Sequence, residues 1–78
     1  MLRLELAQKS NTEVTYNYFP EQEKEYGTIT ISIITGDVVG YETASNDKHR
    51  RYLHHAIARI EKYVGSNDYR EKDVVGWY

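Results

Sequence analysis

Between Lys48 and Tyr63 the sequence reads KHRRYLHHAIARIEKY, gathering five of the chain's ten lysines and arginines and all three of its histidines. Side chains of these kinds could ligate a metal, exchange protons or hold a polyanion, and their spacing separates the three. Metal-binding pairs on a helix converge at separations of i,i+3 or i,i+4. His49, His54 and His55 have neither separation. On a helix with Leu53 as origin they lie about 40°, 100° and 160° away and diverge. No metal and no cofactor is expected. Acid–base work by a histidine needs a pocket, which the pattern does not identify. G-x-S-x-G, P-loop and dinucleotide fingerprints do not occur, so the chain reads as non-enzymatic with no catalytic residues.

The basic residues do share a direction. Lys48, Arg51, His55, Arg59 and Lys62 follow at intervals of three, four, four and three. On a helix they form one row opposite the apolar stripe, a ridge about 20 Å long. It could contact phosphates of a nucleic acid with salt-dependent affinity, meet an acidic protein surface, or only keep a helix face solvated. The net charge of -2 speaks against bulk affinity for nucleic acid. In favour of a role, Lys48, Arg50 and Arg51 are expected in the first turns, where the helix dipole penalises a cation by about 0.3–1 kcal/mol. Tyr52 and Tyr63 share one flank of the same helix beside Arg59. With Trp77 and Tyr78 they make a candidate partner surface, either an aromatic anchor for a protein or a stacking platform for single strands.

These residues depend on the elements around them. Asn46 is the expected N-cap with Asp47 in the first turn, and Gly65 the expected C′ residue. Leu53, Ala56, Ile57, Ile60 and Val64 form an apolar stripe, with His49 packed at its end. Before the helix, period-two alternation marks strands. Leu2, Leu4 and Leu6 alternate with Arg3 and Glu5, and after the turn KSN, Val14, Tyr16 and Tyr18 alternate with polar residues from Thr12 to Phe19. Pro20 and EQEKE interrupt the ladder. Ile29, Ile31 and Ile33 then share a face, TGD reverses the chain, and a fourth strand runs from about Val38 to Thr43. The fold class is α+β: a four-stranded antiparallel meander packed by one C-terminal helix, with an aromatic tail. One helix is about 10 Å wide and cannot cover four strands. The tail VVGWY is therefore expected to fold back on the core as a short fifth strand or hook, the alternatives being a disordered end or docking into a neighbouring copy.

A chain of 78 residues is expected to form one domain with a thin core. Eight tyrosines against one Phe and one Trp suit a core with wet edges, and equally a binding surface. With no cysteine there is neither a disulfide framework nor a thiolate zinc site. MLRLELAQKS lacks the apolar run of a signal peptide, and no stretch approaches the roughly 20 apolar residues of a membrane span. A soluble cytoplasmic protein of bacterial type is expected.

The ensemble KHRRYLHHAIARIEKYVG…VVGWY resembles a family of small uncharacterised proteins of Gram-positive bacteria, through Tyr52, His55, Ala56, Ile60, Trp77 and Tyr78. The resemblance covers roughly the C-terminal half. It implies a compact fold in which a β region precedes a helix, and no activity. The expected function is a non-enzymatic protein-interaction module, self-associating through a strand edge or the tyrosine flank. The competing expectation is nucleic-acid binding on the basic face.

Overall fold

The computed structural model describes residues 1–21 and 24–76. Strands β1 (Leu2–Lys9), β2 (Glu13–Pro20), β3 (Gly27–Ser32) and β4 (Val38–Glu42) precede helix α1 (Arg51–Ser66) and a fifth strand, β5 (Lys72–Val75). The sheet is antiparallel with order β4-β3-β2-β1-β5. The expected four-strand meander is present, and the tail adds the fifth strand beside β1, with Leu2 opposite Val75 and Leu4 opposite Asp73. The helix therefore carries the chain from one edge of the sheet to the other. Its 16 residues span about 24 Å, close to the roughly 19 Å across five strands.

The hairpins close with hydroxyl chemistry. Ser10 Oγ accepts from the amides of Thr12 and Glu13 at 3.2 and 3.1 Å, and Ser32 Oγ accepts from Ile34 and Thr35 at 3.2 and 3.1 Å. Gly36 takes φ 80° in the TGD reversal, a conformation open to glycine at no steric cost.

Alternation puts Leu2, Leu4, Val14, Tyr16, Tyr18, Ile29 and Ile31 on one buried face, closed by Leu53, Ala56, Ile60 and Tyr63 of the helix and by Val75. Burying each large side chain contributes about 1.5–3 kcal/mol. Ile57 and Val64 are half-buried, whereas Tyr63 is fully inside. The stripe is thus rotated from its expected centre toward Tyr63. On the opposite face Phe19 is sealed by its neighbours: the Arg3 guanidinium lies 4.1 Å over its ring and Tyr26 stands 5.2 Å away.

The helix boundaries differ from expectation at both ends. Asn46 is not the N-cap and Asp47 is not in the first turn, since Arg50 occupies the N-cap in a left-handed conformation at φ 56°. The capping is done by Asp47 from outside. Its Oδ1 accepts from the Tyr52 amide at 3.2 Å and its Oδ2 from the Leu53 amide at 2.9 Å. These are the second and third helical N–H groups, which have no partner inside the helix. Oδ2 also accepts from the Tyr18 hydroxyl at 3.1 Å, and that hydroxyl in turn accepts from the Ala44 amide at 2.9 Å. At the other end Gly65 lies inside the helix and Asn67 is the left-handed residue. The Asn67 amide donates to Val64 and that of Asp68 to Tyr63, a Schellman arrangement that asparagine tolerates almost as glycine does.

Tyr18 reaches Asp47 because its cross-strand neighbour is Gly27. A Cβ there would stand 2.3 Å from the Glu42 carbonyl oxygen, 2.4 Å from Tyr18 Cε1 and 2.7 Å from the Ala44 amide nitrogen. Gly27 leaves the groove through which the tyrosine ring crosses.

Gly27→Ala is expected to cost about 1–3 kcal/mol by overpacking, measured as a lower midpoint in urea unfolding. Asp47→Ala removes the cap and leaves the Tyr18 hydroxyl without its acceptor, for a loss of about 2–3 kcal/mol. Asp47→Asn keeps one acceptor oxygen and should lose clearly less in the same measurement.

Candidate interaction surfaces

The cationic row is partly dismantled by these boundaries. Lys48 precedes the helix, and so does Arg50; only Arg51 stands in the first turn, where the Asp47 carboxylate offsets the dipole. The expected crowding of cations at the helix start is therefore removed. His49 is exposed and off the helix, not packed at the end of the stripe. Arg51 and Lys62 are exposed on the outer helix face, and His55 is half-buried.

Arg59 belongs to the structure as much as to the surface. Its Nη1 donates to Asp73 Oδ2 at 2.8 Å, and the Tyr63 hydroxyl donates to the same oxygen. Asp73 faces the helix because it sits opposite the buried Leu4. Burial alone would raise its carboxyl, yet the Tyr63 hydroxyl and the Arg59 guanidinium hold it below the ordinary 3.8. Burial and the Asp73 partner push the Tyr63 hydroxyl up in turn. Tyr16 packs its ring 5.3 Å from that of Tyr63 and donates its hydroxyl to the Arg70 carbonyl at 2.6 Å. These contacts fasten β5 and the loop before it to the helix and the sheet.

Tyr63 is consequently not part of an outer partner surface, because its ring fills the core and its hydroxyl is committed. Tyr52 is half-buried on the same flank and donates its hydroxyl to the Glu21 carboxylate. The Tyr52 bond, with the N-terminal amine, lowers the Glu21 carboxyl. Trp77 and Tyr78, the other two members of that surface, lie outside the described residues. Beside β5, a cleft of about 180 Å³ is lined by His55, Ala58, Arg59, Lys62, Val75 and Gly76. Three of the five row residues thus share one concavity. Arg51 and Lys48 line another, of about 220 Å³, at the helix start. Among the described residues no three His, Asp or Glu side chains are placed to hold a metal ion, and no helix is long and apolar enough to cross a membrane.

A different surface emerges at the edge of the sheet. The helix packs on β1, β2, β3 and β5, and every residue of β4 is exposed. Val39 is 56% and Tyr41 47% exposed, and Ile34 in the preceding turn is 73% exposed. Thr30 lies opposite Gly40 and Ile31 opposite Val38, so Val39 is an extra residue that bulges the strand. The Arg50 guanidinium hangs 5.9 Å over the Tyr41 ring. From Val38 to Tyr41 the edge carries neither a charge nor a proline; the bulge at Val39 and the terminal Glu42 are its restraints on pairing. The other edge is guarded: β5 has four residues and includes Lys72 and the inward-facing Asp73. Sequence patterning identified the β4 strand but not its exposure, because alternation reads the same in central and edge strands.

The buried hydroxyls make stability pH-dependent in a defined direction. Burial pushes both Tyr16 and Tyr18 from 10.0 up to about 12. Folding therefore favours their protonated forms. Their contribution is complete below pH 10.0 and is lost as pH rises through about 12. The lowered Asp73 works at the other end, contributing above 3.8 and losing that contribution as pH falls through its folded value. Urea midpoints should fall at both the alkaline and the acidic extreme, and Tyr18→Phe should shrink the alkaline loss.

Comparison of the chain with protein-family models, with curated proteins and with solved structures returns no match, so what its surfaces do is argued from their own chemistry.

Proposed function

We propose that this chain is a non-enzymatic protein-interaction module that binds by strand addition at β4. The carrying observation is the contrast between the two edges, one open and apolar from Val38 to Tyr41, the other short and charged. Strand addition takes affinity from main-chain hydrogen bonds and selectivity from alternate side chains. Val39 and Tyr41 supply the β-branched and aromatic groups that form the stronger cross-strand pairs. β4 is itself held by its ladder to β3, which pairs with the helix-covered β2, so the strand is already extended before it binds, which limits the ordering cost.

A second reading, polyanion binding, is favoured by the cleft that collects His55, Arg59 and Lys62, with Arg51 further along the same face. Its weakness is that Arg59 already serves Asp73. Capture of binding partners from an extract of the source cells separates the two. The wild-type chain is expected to recover material that Val39→Lys loses and Arg51→Glu/Lys62→Glu retains. The opposite pattern, with recovery abolished by the double change and untouched by Val39→Lys, overturns strand addition in favour of the polyanion.

A further inference from the structure

We infer that the strand added at β4 is β4 of a second copy, paired antiparallel about a two-fold axis through Gly40 to give one continuous ten-stranded sheet. The inference rests on the reading of β4 as the interaction edge, and names its occupant. A two-fold joins a surface to itself, so the edge must be complementary to its own reverse. About Gly40, Val39 of each copy faces Tyr41 of the other, giving an aromatic–β-branched pair twice over. Gly40 faces Gly40, where an added Cβ would meet nothing within 4 Å in the chain itself. Charge fits as well. Asp37 faces Thr43 and Glu42 faces Val38, so the acidic residues bounding the strand never oppose one another. The Arg50 guanidinium over Tyr41 brings a cation to each end of a pairing whose termini are acidic. The bulge at Val39 leaves a short ladder, consistent with an association that depends on concentration.

The chain has no cysteine, so a single introduced one reports without interference. Under a mild oxidant, Gly40→Cys is expected to form a covalent dimer within minutes, because the two Cα atoms would lie inside the roughly 4.4–6.8 Å that a disulfide spans. Val74→Cys, equally exposed on the other edge, serves as the control and should remain largely uncrosslinked. Sedimentation of the unmodified chain should show a monomer–dimer equilibrium that Val39→Lys weakens at least about tenfold, with the urea midpoints of the two chains equal at concentrations where both are monomeric. A wild-type chain that is monomeric up to millimolar concentration overturns the inference, as does Gly40→Cys crosslinking no faster than Val74→Cys. In either case, partner capture that still depends on Val39 leaves the strand-addition reading standing. Capture indifferent to Val39 removes that reading itself.

Discussion

One buried carboxylate organises the molecule. Asp47 is 4% exposed and accepts from two helix amides and from the Tyr18 hydroxyl, so a single side chain ties the start of the helix to the second strand. Charged acceptors of this kind make stronger bonds than neutral ones. They are costly to bury unless every lone pair is used. The arrangement sets the axial position and the phase of α1 together. Once Leu53 is bound at its amide by Asp47, the inward direction of Ala56, Ile60 and Tyr63 follows from 3.6 residues per turn. The outward direction of Arg51 and Lys62 follows too. Gly27 is the silent partner, since without its missing side chain Tyr18 could not cross to the loop at all.

The far end of the helix is held by a second polar cluster of different character. Asp73 comes from the last strand and collects Arg59 and Tyr63 from the helix, while Tyr16 secures the connecting loop through the Arg70 carbonyl. A carboxylate on the buried side of an edge strand is expensive unless paired, and here both partners come from one helix face. The arrangement draws Arg59 out of the cationic row and Tyr63 out of the aromatic flank. Arg59 and Tyr63, which the spacing placed in candidate binding surfaces, hold the last strand in place. Under the proposed reading, binding falls to the backbone of β4, a strand whose residues are all exposed.

Which parts were legible in the sequence follows from the range of the interactions involved. Alternation of Leu2, Leu4 and Leu6, or of Ile29 and Ile31, reports a neighbour two residues away and survives any topology, so the first four strands could be read directly. The helix ends could not. Asn46 and Gly65 have the favoured residue types, but Asp47 caps from three residues before the N-cap because Tyr18 holds it there, and Asn67 ends the helix where Gly65 was expected. Long-range constraint overrode local preference in both places. The role of Gly27 is equally invisible, since it arises from a ring on another strand. The identity of the edges required the strand order, which places β5 beside β1 and leaves β4 outermost. The commitment of Arg59 to Asp73 was hidden for a related reason: spacing shows that side chains are parallel, not that they are unoccupied.

The unequal treatment of the two sheet margins limits how far such a sheet can grow. If both margins were open, chains could add head to tail without end, as in fibres. Among the described residues Lys72 and the inward Asp73 close one margin, so under the proposed pairing an addition at β4 uses the open border of each participant and then stops. The fold thus carries its own terminator, installed by the same carboxylate that fastens the final strand.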